Sequence, residues 1–173
     1  MLNFNKIKVL LEGRHDKVDN KIKIGSTVTL IRSDKTILVD TGGLADGKKL
    51  IAALKAEKLK PEDIGIVFLT HLHMDHIANT NLFPNAKIYL KFSKSPYPGQ
   101  LQDPKEGTLQ RIDIIEGKEI AAGVKVIELA GHSADLAGLL IETEKGNVVI
   151  ASDAISNEAW TDITRKPDEI LTY

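Results

Sequence analysis

Along this chain the apolar residues change rhythm several times, and each change marks an element. Lys6 to Leu11 and Ser26 to Ile31 are short runs of apolar and β-branched residues broken by charge, and Lys35 to Val39 follows Ser33-Asp34 as the second arm of a hairpin. From Asp46 the spacing lengthens. Leu50, Ile51, Leu54 and Leu59 recur at helical intervals among Lys48, Lys49, Lys55, Glu57 and Lys58, and Pro61 stops the run, which predicts an amphipathic helix lying on a sheet. Ile64 to Leu69 is continuously apolar, as a strand covered on both faces would be. Lys87 to Phe92 alternates, with Ile88, Leu90 and Phe92 on one face and Lys87, Tyr89 and Lys91 on the other. Val124 to Leu129 reads as another strand. Ala137 to Thr143 and Asn147 to Ala151 flank Glu144-Lys145-Gly146 as a second hairpin, while Ser93 to Asp113, rich in Pro and Gly, predicts a long loop near the strand ends.

Chemistry gathers where these strands end. Directly after the buried run stands Thr70-His71-Leu72-His73-Met74-Asp75-His76, three imidazoles and a carboxylate in six consecutive positions. At the frequencies of His and Asp in this chain, chance produces that pattern in about three of ten thousand chains of this length. In an extended or tightly looped backbone residues i and i+2 project to the same side, so His71 and His73 can share one ion and Asp75 and His76 can face a second. Nitrogen and oxygen donors suit Zn²⁺, Mn²⁺ or Fe, and the three imidazoles favour zinc. With no cysteine in the chain, a thiolate site is excluded. His132 follows the strand Val124 to Leu129, and Asp153 closes Asn147 to Ser152, so two further donors hang from strand ends. His15, in the polar stretch Glu12 to Asp16, reads as a solvated loop histidine.

In the order of its motifs the chain resembles the metallo-beta-lactamase superfamily, whose hallmark is the His-x-His-x-Asp-His loop. The resemblance takes in Leu38-Val39-Asp40-Thr41-Gly42-Gly43, the loop from His71 to His76, the Gly131-His132 turn and the Ser152-Asp153 strand end. Leu82-Phe83-Pro84, Tyr97-Pro98-Gly99 and Asn157 to Trp160 look most like the subgroup of metallo-beta-lactamase domain-containing protein 1. The resemblance implies a four-layer α/β/β/α sandwich over residues 1–173 as one domain. It also implies that His71, His73 and His132 hold a first ion, Asp75 and His76 a second, and Asp153 both. Asp40 would brace the His loop from behind. The family adds one more His beyond the bridging acid, and none follows His132 here. The final strand and helix are therefore expected to be missing or shortened, with water, a neighbouring subunit or a truncated site accounting for the absent ligand. An uncovered sheet edge and apolar face would follow, and with them association into a homo-oligomer.

Two zinc ions sharing a water predict a metal-dependent hydrolase. The bound water's pKa falls to about 7, the hydroxide attacks an ester, lactone, thioester or related bond, and Asp75 orients that water or takes its proton. An iron-dependent redox enzyme of the same fold, or a non-catalytic metal-binding relative, are the other readings. Twenty-three basic against 24 acidic residues leave a net charge of -1, which offers no field for nucleic acid and points to small-molecule substrates. Lys91 to Lys94 reads as a solvated basic loop. No apolar run approaches a membrane span, and the amino terminus lacks a secretory signal, so the expected setting is cytoplasmic.

Overall fold

The computed structural model describes residues 4–91, 93, 94, 98–108, 110, 111, 117–129 and 131–155. Tyr97, the stretch Asn157 to Trp160 and the tail from Thr161 to Tyr173 lie outside the described residues.

The chain opens with β1 (Lys6–Leu11), β2 (Arg14–Val18), β3 (Lys21–Gly25), β4 (Val28–Arg32) and β5 (Thr36–Val39). The helix α1 (Gly47–Ala56) leads to β6 (Ile66–Phe68), the one-turn α2 (Met74–Ile77) and β7 (Lys87–Leu90). Two-residue strands β8 (Ser93–Lys94) and β9 (Gln110–Arg111) follow, and then β10 (Glu119–Ala121), β11 (Val124–Glu128), β12 (Ala137–Thr143) and β13 (Gly146–Ile150). One sheet runs β1-β4-β5-β6-β7-β8-β9, a second β10-β11-β12-β13, and β2 and β3 form a two-stranded ribbon.

Two apolar layers hold these sheets. Ile31, Ile37, Val39, Ile66 and Phe68 of the first sheet meet Val124, Val126, Leu139 and Ile141 of the second, while Leu30, Leu38 and Val67, on the other face, pack under Leu50 and Leu54 of α1. Adjacent residues of one strand thus feed opposite cores, which is why β6 is apolar at every position. Each fully buried Leu, Ile or Phe removes apolar surface from water and contributes about 1.5–3 kcal/mol. Among the described residues the layers are helix, sheet and sheet, the α/β/β part of the expected sandwich. Val149 on the far side of the second sheet is half exposed.

Three local expectations change. The helix ends at Ala56, short of Leu59, because Lys58 turns left-handed (φ 59°); the Leu59 N–H then reaches back to the Leu54 carbonyl and the Lys58 N–H to that of Lys55, closing a Schellman turn. His15 stands in β2 of an exposed two-stranded ribbon, paired with Ile24, and not in a loop. The expected long loop from Ser93 carries β8 and β9, which extend the first sheet beyond β7.

The topology fixes where chemistry can sit. β5, β6 and β7 are parallel, so their carboxyl ends share one edge, which receives Asp40 and the segment from Thr70. In the second sheet Glu128 pairs with Ala137 and Leu139 with Ile150, which brings the turn carrying His132 and the segment carrying Asp153 together. The Ala137 N–H donates to the Thr70 carbonyl at 2.9 Å and joins the two sheets at that edge.

Candidate metal centre

His71, His73, His132 and Asp153 each offer one donor atom, and the four atoms lie within 4.8 Å of one another. Asp153 Oδ2 stands 3.8 Å from His71 Nε2 and 3.4 Å from His132 Nε2, and His132 Nε2 is 2.9 Å from His73 Nδ1. His76 and Asp75 form a second group around the same acid. His76 Nε2 is 3.5 Å from Asp153 Oδ2 and 3.8 Å from Asp75 Oδ2. All six residues expected to be ligands therefore converge, and Asp153 faces both groups.

A network beneath them aims the rings. The Asp40 carboxylate accepts the Thr70 N–H at 2.8 Å, the Thr70 hydroxyl at 2.8 Å and the His76 Nδ1–H at 2.8 Å. The Thr70 hydroxyl has one proton, and Asp40 takes it. Thr70 Oγ1 can then only accept from Ser152 Oγ, 2.8 Å away, and from His71 Nδ1, 3.2 Å away. Both imidazoles thus carry hydrogen on Nδ1 and turn Nε2 to the side of Asp153, the nitrogen a metal would take.

The test of fit is on those nitrogens. Among the described residues His71 Nε2 and His76 Nε2 are both buried and make no hydrogen bond, and a buried unpaired polar atom costs about 1–3 kcal/mol. Two such atoms directed at one carboxylate form a cradle for cations. Donors arranged tetrahedrally at 2.0–2.1 Å from zinc stand about 3.3 Å from one another, close to the separations here. The all-nitrogen and oxygen set suits zinc, iron or manganese.

Electrostatics agree with this arrangement. Burial, and after it the neighbouring His76, lowers His71 to about 3, so it is neutral and available. Burial also disfavours charge on His76, but the facing carboxylates of Asp153 and Asp40 outweigh it and raise that imidazole to about 10, so without a metal Nε2 also carries a proton, which a bound cation would displace. Burial pushes the Asp40 carboxyl up as well, against the pull of His76 and Thr70. One proton cannot be counted on both members of that pair. It belongs on Nδ1, because Asp40 already accepts two bonds from Thr70.

Backbone bonds fix the loop itself. Thr41 holds the His76 carbonyl with its N–H at 2.7 Å and its hydroxyl at 2.9 Å, and the Ser26 N–H holds the Asp75 carbonyl at 3.2 Å. Asp46, almost wholly buried, accepts the Gly43 N–H at 2.9 Å and pairs with Arg14 at 2.7 Å, tying the ribbon to the Asp40 turn. Lys91, expected to be solvated, is instead largely covered, and it faces Glu128 at 3.8 Å. Thr70 and Ser152 stood in the quoted motifs without a role, and Asp135 was not singled out. A hydroxyl directly before the first His was the available signal for Thr70.

The profile of the metallo-beta-lactamase superfamily matches residues 23–171. The chain belongs to this superfamily. It is 31% identical over 170 residues to metallo-beta-lactamase domain-containing protein 1 of Xenopus laevis, covering 94% of this chain and 70% of that protein. It is 32% identical over 113 residues to an N-acyl homoserine lactonase of Bacillus cereus, covering 62% of this chain and 44% of the lactonase. Among solved structures, a Thermotoga maritima protein provisionally assigned as a metallo-beta-lactamase superposes with a TM-score of 0.67 at 23% identity, covering 86% of this chain and 78% of that one. The fold is thus the metallo-beta-lactamase fold, and family membership places the chain among metal-dependent hydrolases. It spans less than half of the Bacillus lactonase it matches.

Proposed function

We propose that the protein hydrolyses a carboxylic ester, lactone or thioester bond of a small molecule, using two divalent ions, zinc foremost. The observation that carries this reading is the pair of buried, unpartnered nitrogens, His71 Nε2 and His76 Nε2, gathered with His73 and His132 around the Asp153 carboxylate. His71, His73 and His132 would hold one ion, His76 and Asp75 the other, and Asp153 both. Bound there, the ions would supply a water that loses its proton near neutral pH and positive charge for the carbonyl oxygen.

The chain's own residues do the rest. Asp75, one-fifth exposed in the first turn of α2, sits where a carboxylate can orient a water and accept its proton. Asp40 and Thr70 keep both rings aimed while the proton moves. The similarity to a lactonase supports an acyl substrate over a phosphoryl one. So does the charge at this edge, where Glu128 faces the Lys91 ammonium and the chain as a whole is nearly neutral.

The test strips the protein with a chelator, reloads it with zinc, manganese or ferrous iron, counts ions per chain, and assays nitrophenyl esters, lactones and thioesters. Zinc-restored hydrolysis that disappears in Asp75→Asn supports the assignment. Stoichiometric iron in freshly purified protein would turn the reading toward redox chemistry. Tight metal uptake with no turnover in any class would end the hydrolase reading.

A further inference from the structure

One acid outside the ligand set is bonded to the metal loop from the opposite sheet. Asp135 stands three residues after His132, in the turn between β11 and β12, and its Oδ2 accepts the Leu72 N–H at 2.9 Å across 63 residues of sequence. Leu72 is the residue that separates His71 from His73. Close by, the Ala137 N–H donates to the Thr70 carbonyl at 2.9 Å. The segment from Thr70 to Leu72 is therefore clamped to the turn from His132 to Ala137 on both sides of His71.

An ordinary turn aspartate spends its carboxylate on N–H groups of its own turn. Here the Asp135 carboxylate also bonds within its own turn, yet its Oδ2 reaches the distant Leu72. The Leu72 side chain is 45% exposed, so packing alone does not hold its backbone. Pinning that N–H fixes the peptide plane between His71 and Leu72, and with it the directions in which the two neighbouring imidazoles leave the chain. The need is steep, because His73 Nδ1 and His132 Nε2 approach to 2.9 Å from two different sheets, and a slip of an ångström between those sheets would open the donor set.

We propose that Asp135 is a positioning residue of the metal centre: its carboxylate, by holding the Leu72 N–H, sets His71 and His73 against His132. The inference rests on the metal-binding part of the proposed function and deepens it. Position matters here more than charge. Asn at 135 keeps an acceptor oxygen in the same place, whereas Glu keeps the charge but moves it by one methylene.

The experiment measures zinc affinity by competition with a chromophoric chelator, and melting of the metal-free protein, for the wild type, Asp135→Asn, Asp135→Glu and Asp135→Ala. Loss of a supporting partner weakens metal binding by about 10–100-fold, and that loss is expected for Ala and for Glu. Asn is expected to stay near the wild type, and it keeps the test informative should Ala fold poorly. Unchanged affinity in Ala, or an Asn variant as weak as Ala beside an intact Glu, would overturn the proposal. A wild type that takes up no zinc would instead overturn the metal reading beneath it.

Discussion

Replacing Thr70 with valine keeps the side chain's shape and removes only its hydroxyl, which is the junction of the network under the metal loop. The hydroxyl donates to Asp40 at 2.8 Å and accepts from Ser152 at 2.8 Å and from His71 Nδ1 at 3.2 Å. Three polar groups lose this partner, and the two that are buried, Asp40 and His71, cost about 1–3 kcal/mol each, which sets a ceiling near 6 kcal/mol. Asp40 keeps the Thr70 N–H and His76, and Ser152 is partly exposed and can turn to water. The expected loss is therefore about 2–4 kcal/mol, or roughly 5–12 °C in melting temperature for a chain of this size. With its Nδ1 unpaired, His71 is also free to hold the wrong tautomer, so zinc affinity should fall by about 10–100-fold. Far-ultraviolet circular dichroism melts of the metal-free protein and chelator competition read the two effects separately. Thr70→Ser, which retains the hydroxyl, should recover most of both. A valine variant that melts within about 1 °C of the wild type and binds zinc normally would refute the proton accounting, and so would a serine variant as damaged as valine.

Two other changes probe the two halves of the edge. His76→Ala should reduce metal content from two ions per chain to one by elemental analysis, since it removes the nitrogen facing both Asp75 and Asp153; one ion in both proteins would confine binding to the group of His71, His73 and His132. Gly138→Ala should destabilise the second sheet by about 1–3 kcal/mol or more, because a Cβ there would press on the Ile150 carbonyl and stand 2.8 Å from Leu129. Chemical denaturation reads that loss, and an alanine variant as stable as the wild type would show that β12 and β13 can spread without cost.

What the sequence disclosed, and what it hid, follows from how local each signal is. β7 was legible because Ile88 and Leu90 face a core while Lys87 faces water, and α1 because Leu50 and Leu54 fall on one stripe. The ribbon of β2 and β3 was not, since nearly every residue in it is exposed and neither face alternates against a core. Its signal was the two-residue turn Asp19-Asn20, with Asp19 at φ 54°, a conformation that Asp and Asn tolerate. β8 and β9 are two residues long, below any period. In the site, the His loop and the two strand-end donors were readable from residue type, because imidazoles and acids are scarce enough for clustering to carry meaning. Thr70 and Asp135 were not. A threonine before a histidine and an aspartate in a turn are commonplace locally, and their roles arise only when the fold brings Asp40 and Leu72, 30 and 63 residues away, against them.

The same network bears on whether metal builds this site or finds it built. Asp40 (φ 60°) and Ser152 (φ 49°) are non-glycine residues in the left-handed region, a conformation that costs of order 1–3 kcal/mol each and persists only where surrounding bonds over-determine it. Both are over-determined through one atom, Thr70 Oγ1, which touches the carboxylate of the first and the hydroxyl of the second. The His76 and Asp75 carbonyls are held by Thr41 and Ser26, and the two sheets are joined at Thr70 and Ala137. Every one of these bonds is between protein groups, so the positions of the rings do not wait on a cation. In a domain where zinc supplies the folding energy, chelation unfolds the chain. Here the core behind the site is large and the donors are already braced. Chelator-stripped protein should therefore keep its far-ultraviolet spectrum and melt cooperatively, with zinc raising the midpoint in proportion to the logarithm of its free concentration. A stripped protein that loses its near-ultraviolet signal and melts without a transition would mean that the cation, and not Thr70 and Asp40, holds the two strained residues in place.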